Sequence, residues 1–339
     1  MIIVDPVSHA AFGYTIVRAV RPPLSRLAAA ACIGALAPDA DALAMPFGWD
    51  VYLRIHEVGT HALIGVVPVA FLAAIAARGR STQPIRPLFH ASLVAVVSHL
   101  ALDVVSGARI QIGWPFAGGR THLPLVAMAE PWVIVLCGLG AAMILASTTH
   151  ARRVASAVLI ALTVALTFKG VWLAQALQML NGTTGAAVET YIVESRWNTL
   201  REWNVFSRSG MRLTQMTVTP NRSPHVVAEW PIDPDFPLAM SSRRLDTVRN
   251  LLATHDLVLA RERPASDGTT EVLWSDIRYC WQPQADANDV RERGPLTLGN
   301  GRARIACVLW VGGTFDGSGR ALNQRVQIFG LWQTRPARP

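Results

Sequence analysis

Seven histidines and aspartates in the first third of the chain have the types and spacing to hold a divalent cation. His99 and Asp103 stand four apart in an apolar run, so on a helix they project from one face, a turn apart, and can reach one ion. Pro38 precedes Asp39 and Asp41, and its break in helix regularity means these two carboxylates need not point to opposite sides. His56 and His61 flank Gly59-Thr60, a loop able to turn both imidazoles inward, and His9 opens the first short apolar segment. Imidazole and carboxylate together suit zinc, and also manganese or iron; no two cysteines are close enough in sequence to favour a thiolate site. Seven ligands exceed what one tetrahedral ion uses, so the surplus serves a second metal or orients the histidines. The chemistry such a site performs is water activation, with Asp39 or Asp41 as the base that accepts the proton.

Each residue also has a structural reading. His9 alone reads as a buried, hydrogen-bonded histidine, and His56 as a surface-loop residue. Asp39 and Asp41 suit a salt bridge to Arg54 or Arg109, or a helix-ending turn. Separate explanations of this kind leave unexplained why all seven fall on one side of the elements that carry them.

Those elements follow from composition. The 339 residues are 51% hydrophobic and 16% charged, well below the roughly 25% charged of a soluble protein. Residues 1–180 hold 12 basic and 7 acidic side chains and residues 181–339 hold 19 and 16, so a membrane unit at 1–180 precedes a soluble domain at 181–339. Thirty of the 31 basic residues are Arg, which does not suit a lysine-rich nucleic-acid-binding tail, and no nucleic-acid partner is expected.

Crossing about 30 Å of hydrocarbon takes roughly 20 apolar residues. Runs at 62–77, 88–105, 125–147 and 154–180 approach this, 27–45 is apolar apart from Asp39 and Asp41, and 6–20 is short; five or six spans are expected. Arg18, Arg21 and Arg26 around Pro22-Pro23, Arg78, Arg80 and Arg86, and Arg152 and Arg153 alternate with loops holding only Arg54, Arg109 and Arg120. The arginine-rich loops are therefore cytoplasmic. The histidines and aspartates then face outward, and residues 181–339 emerge outside the cell membrane. The run at 27–37 resembles a signal-sequence core, but it follows 26 partly apolar residues and no clean cleavage site, so it reads as retained.

The second half has strand-like segments at 213–218, 271–274 and 306–311, with turns expected at Gly312-Gly313 and at Asp316-Gly317-Ser318-Gly319. The fold class is thus mainly α, a polytopic helical domain followed by a smaller β-rich extramembrane domain. Its seven tryptophans read as core and interfacial residues before they read as a ligand surface. Cys280 and Cys307 would lie in an oxidising compartment, as a disulfide or as two separately buried thiols; Cys32 and Cys137 read as small apolar residues. No phosphate-binding glycine loop or serine-nucleophile elbow is present.

The set Ser8-His9-Ala10-Ala11-Phe12-Gly13, Gly34-Ala35-Leu36-Ala37-Pro38-Asp39-Ala40-Asp41, His56-Glu57-Val58-Gly59-Thr60-His61-Ala62-Leu63, Ser98-His99-Leu100-Ala101-Leu102-Asp103 and Trp114-Pro115-Phe116 resembles, in order and spacing, the YdjM-like family of membrane-bound, metal-dependent hydrolases. The resemblance covers roughly residues 1–130 and implies a bacterial inner-membrane protein. Two positions depart from the family: Glu57 where an arginine is usual and Ala62 where a serine is usual. The order His, Asp, His, His-x-x-x-Asp is also distantly similar to zinc-dependent phospholipase C. That likeness implies that Asp39 or Asp41, His61, His99 and Asp103 hold one metal, that His9 and Asp103 reach a second, and that the substrate is a phosphoester; the location at the membrane surface suits such an ester whether lipid-linked or not. The later His-x-x-x-Glu pair of those enzymes has no counterpart, since His122 and Glu130 are eight apart. Two rival functions remain at this level: a transporter or proton-coupled channel using the same residues as a relay, and a plain anchor for an outer binding domain.

Overall fold

The computed structural model describes residues 5–20, 25–56, 58–147, 149–183, 190–210, 212–231, 236–281, 296–297, 304–328 and 331–337. Arg21, the Pro22-Pro23 turn and Glu57 lie outside them. The helical half comprises α1 (Pro6–Val20), α2 (Ser25–Leu36), a 3-10 helix (Pro38–Phe47), α3 (Trp49–Ile55), a 3-10 turn (Gly59–His61), α4 (Leu63–Arg78), α5 (Ile85–Val105), α6 (Pro131–Ala146) and α7 (Ala151–Thr183). Asp5 starts α1 as its N-cap, accepting from the Val7 and Ser8 amides at 3.0 and 3.2 Å. Pro38 stops α2, because a proline supplies no amide to continue the ladder.

Two helices among the described residues are by themselves long and apolar enough to cross a membrane: α5, and Ala151–Asn181 within α7. Two more crossings arise if each bent pair is one span, namely Arg26–Leu36 with Pro38–Phe47, bent by 53°, and Trp49–His61 with Leu63–Arg78, bent by 86°. By length and composition the described residues thus support between two and four spans, with α6 as a further, shorter apolar helix, against the five or six expected from apolar runs. Hydropathy alone passes over the break at Pro38, and it extends the run at 125–147 into a loop, since α6 begins only at Pro131. Ile64, Val67, Phe71, Leu139, Met143, Ile160, Val164 and Phe168 leave broad apolar faces exposed on α4, α6 and α7, as lipid-facing surfaces require.

Small residues let α1, α2 and α5 approach closely. A Cβ at Gly34 would lie 2.8 Å from Ser92 Cα and from Ser92 O, and one at Gly13 would lie 2.7 Å from Ala35 Cβ. This contact places the end of α2, and the aspartates just beyond it, against the end of α5 that carries His99 and Asp103.

The β-half forms an antiparallel meander, β1 (Thr190–Ser195), β2 (Trp203–Ser209), β3 (Arg212–Thr219) and β4 (Arg222–Pro231). Helices α8 (Pro237–Ser242) and α9 (Asp246–Leu252) lead into a five-stranded antiparallel sheet. Its members are β5 (Val258–Pro264), β6 (Thr270–Asp276), β10 (Leu309–Phe315), β11 (Ala321–Ile328) and β12 (Leu331–Pro336), in the order β12-β11-β10-β6-β5; β7 (Cys280–Trp281), β8 (Leu296–Thr297) and β9 (Arg304–Cys307) form a small third sheet. Strand alternation divides the meander's faces. Ile192, Phe206, Leu213 and Trp230 share a core with Leu257, just before β5, and with Leu259, Leu273 and Trp310 of the five-stranded sheet. Val193, Trp203, Val205 and Met216 pack instead with Leu125, Val126, Leu173 and Leu180 of the helical half.

The expected strand at 306–311 is two strands, because the Val308 amide turns aside to donate to the Tyr279 carbonyl at 3.0 Å. Gly312-Gly313 is no turn: both lie in β10, where a Cβ on Gly312 would sit 1.9 Å from the Val272 carbonyl oxygen. The turn is at Asp316–Gly319. A disulfide joins Cys280 to Cys307, paired across β7 and β9.

Candidate metal centre

His99 and Asp103 occupy the last two turns of α5, and both are buried. His99 Nε2 lies 3.0 Å from Asp103 Oδ2, the contact expected of positions four apart. His99 Nδ1 donates to the Ala35 carbonyl at 2.6 Å. That bond fixes the tautomer and leaves the Nε2 lone pair directed into the site.

The 3-10 helix after Pro38 turns Asp39 and Asp41 toward the same centre. Asp39 Oδ1 is 3.4 Å from His61 Nε2 and 3.6 Å from His99 Nε2. His61, at the end of the Gly59–His61 turn, brings Nε2 to 3.2 Å from His99 Nε2 and 3.5 Å from Asp103 Oδ2. Behind it stand Thr60 Oγ1, 3.1 Å from His61 Nδ1, and Asp41 Oδ2, 3.7 Å away. Asp41 pairs chiefly with His56, whose Nδ1 lies 3.1 and 3.0 Å from its two oxygens. His9 closes the other side, with Nε2 3.3 Å from Asp103 Oδ1 and its ring 4.1 Å from that of His99.

All seven residues singled out by sequence therefore meet in one cluster. Asp39 and Asp41 do not take the arginine partners that a structural reading offered them: Arg54 donates to Asn250 at 3.3 Å, and Arg109 pairs with Asp256 at 2.8 Å.

Four atoms converge most closely: His61 Nε2, His99 Nε2, Asp39 Oδ1 and Asp103 Oδ2. The five separations given above among them span 3.0 to 3.6 Å. Zinc held tetrahedrally at about 2.0–2.1 Å from each ligand spaces its ligands by about 3.3 Å. Asp39 Oδ1 and both Asp103 oxygens are buried and make no hydrogen bond of good geometry, although imidazole nitrogens surround them. Buried lone pairs facing one another are costly unless a cation lies between them. The donor set thus fits a metal, and two groups, His9 with His99 and Asp103, and Asp39 with His56 and His61, have the geometry to hold an ion.

Sequence reading missed Thr60 and the Ala35 carbonyl. It also missed Glu130, which sits at the N-cap position of α6 without a side-chain cap; its carboxylate accepts instead from the Ala127 amide at 3.2 Å, and the residue lines a small void beside His9. A serine or threonine beside a histidine of the cluster is a weak signal in sequence, and a backbone acceptor leaves none.

Helices α1 to α6, the small-residue packing and the ordered cluster all lie in the stretch matched by the family model described as YdjM inner membrane protein, which covers residues 4–176. The chain belongs to the YdjM inner membrane protein family. No curated protein and no solved structure matches it. Membership places the protein in the inner membrane, in keeping with its apolar helices. The YdjM match contains every residue of the cluster and stops within α7, so the β-half lies beyond it.

Proposed function

We propose that the protein is a membrane-bound, metal-dependent hydrolase of a phosphoester substrate, lipid-linked or presented at the membrane surface. The observation that carries this reading is the convergence of His61, His99, Asp39 and Asp103 at tetrahedral spacing. A divalent cation, zinc by preference, would be held there with a coordination position beyond the protein ligands left for water, and would supply Lewis acidity that brings the deprotonation of that water toward neutral pH. Ala35 and Thr60 hold the histidine rings in place. Asp39 belongs to the converging atoms and acts as a ligand; Asp41, one step outside and 3.0 Å from His56 Nδ1, is the proton acceptor. Manganese or iron would suit the same donors. The cluster occupies one end of α5 and does not run along the bundle, which favours hydrolysis over a transmembrane relay.

The side of the membrane belongs to the same proposal: the cluster and residues 181–339 face the periplasm. The Cys280–Cys307 disulfide supports it, because such bonds persist in oxidising compartments. The arginine-rich loops support it independently.

Metal analysis of detergent-purified protein, paired with phosphodiesterase and phosphomonoesterase assays, tests the activity. Wild type is expected to hold a transition metal and turn over a phosphoester, and His99→Ala and Asp103→Ala to lose both. A wild type with no stoichiometric metal would overturn the proposal. For topology, a reporter fused after Leu180 is expected to be active only as a periplasmic reporter, and a cytoplasmic signal reverses the assignment.

A further inference from the structure

A cleft of about 520 Å³ separates the two halves and reaches the metal centre at His56. One wall is helical-half loop, carrying Arg109 and Arg120; the other is β-half, with Asn204, His255, Arg278 and Tyr279. Three guanidinium groups thus line a space with one carboxylate, Glu194. Arg278 is held from behind by Asp276, at 2.8 and 3.0 Å, and lies 3.6 Å from Glu194, so its charge is balanced within the wall. Arg109 differs. Its Nη1 is 2.8 Å from Asp256, yet its Nε–H is buried and meets no acceptor. Arg120 donates to the Arg109 carbonyl at 3.3 Å, which ties the two cationic side chains to one stretch of loop. A buried donor without an acceptor marks a place where a ligand oxygen belongs.

We infer that this cleft binds the phosphate-bearing group of the substrate, with Arg109 and Arg120 as its anion contacts and the reacting bond toward His56. The inference rests on the hydrolase reading and adds to it: the β-half, outside the family match, completes the substrate site. Planar guanidinium forks suit the oxygens of a phosphate. The volume suits a small ligand or a lipid headgroup. Leu53, Met128 and Trp197 give the lining an apolar part against which a glycerol or acyl stem can lie.

Isothermal titration of the full-length protein in detergent tests this without relying on turnover. EDTA is present throughout, so that coordination to a metal contributes nothing. One arm uses glycerol 3-phosphate and the other monomeric dihexanoyl phosphatidate, with glycerol and dihexanoylglycerol as neutral controls. Saturable binding of a phosphate-bearing probe but of neither control is expected. R109Q and R120Q should each weaken it by about tenfold or more, as expected for a lost charge-assisted hydrogen bond, while R120K restores most of it. Tighter binding of glycerol 3-phosphate identifies a water-soluble ester, and tighter binding of phosphatidate a lipid-borne one. No saturable binding, or binding unchanged in both glutamine variants, overturns the inference. If R109Q fails to fold for want of its Asp256 pair, R120Q with R120K decides. Metal content is measured on the same preparation before EDTA is added, so failure of the metal reading and failure of the cleft are separately visible.

Discussion

Asp103 is where the two sides of the histidine–aspartate cluster join, since Oδ1 faces His9 while Oδ2 faces both His61 and His99. The two upstream aspartates divide the remaining work, and substitution separates them. Asp39→Asn should lower metal content, because it removes charge from a converging ligand atom. Asp41→Asn keeps the shape of the His56 pairing and should retain metal while turnover falls about 10²- to 10⁴-fold, the range for a lost general base; metal content and kcat measured on both variants check the division. Legibility at this scale followed covalent proximity. His99 and Asp103 were readable as a pair because helix geometry alone sets their distance. The 3.2 Å approach of His61 to His99 was not, since it depends on how a turn 38 residues upstream folds back.

At the level of elements, the site depends on α2 lying hard against α5. Gly34→Leu would drive a Cβ into Ser92 backbone that cannot yield. Overpacking of this kind costs about 1–3 kcal/mol, and it would carry the Ala35 carbonyl away from His99. The expected result is a lower thermal midpoint together with loss of metal, read by thermal unfolding in detergent and metal analysis of the same sample. A Gly34→Ala protein should show a smaller effect of the same sign. Apolar runs revealed that α4, α5, α6 and α7 exist, but not that Pro38 and the turn at Gly59–His61 bend the chain by 53° and 86°. Hydropathy averages over a break, whereas the site is built from the breaks. The two glycines of β10 misled for a related reason: glycine marks close backbone approach as readily as it marks a turn.

For the molecule as a whole, the two halves form one packed body, and His255 reports on their junction. It lies 3.1 Å from the Tyr279 hydroxyl in the wall of the cleft. Burial pushes its pKa from 6.5 down to about 4, with Arg278 and Arg120 adding to the effect and Asp276 opposing it. The folded state therefore takes up this proton later than the unfolded chain does. The associated stability is complete above pH 6.5, declines as the pH falls below it, and is lost by about pH 4. Two and a half pKa units correspond to about 3 kcal/mol. Thermal unfolding between pH 7.5 and 4 should show a drop that His255→Gln reduces; an identical drop in both proteins would assign the acid sensitivity elsewhere. Sequence disclosed a charge-rich second half with strands, but not that it would pack against the helical half, because contacts such as Arg109 with Asp256 join residues far apart in the chain.

Helix α7 gives this arrangement a fixed height. Its only lysine, Lys169, donates to Ser195 Oγ and the Thr199 carbonyl at 3.1 Å each, fastening the β-half to the helix at that level. Residues 151–168 below it rise about 27 Å at 1.5 Å per residue, close to the thickness of a bilayer's hydrocarbon. In thicker or thinner lipid, α7 must tilt or the bilayer must deform, and the β-half fastened to it must move with it.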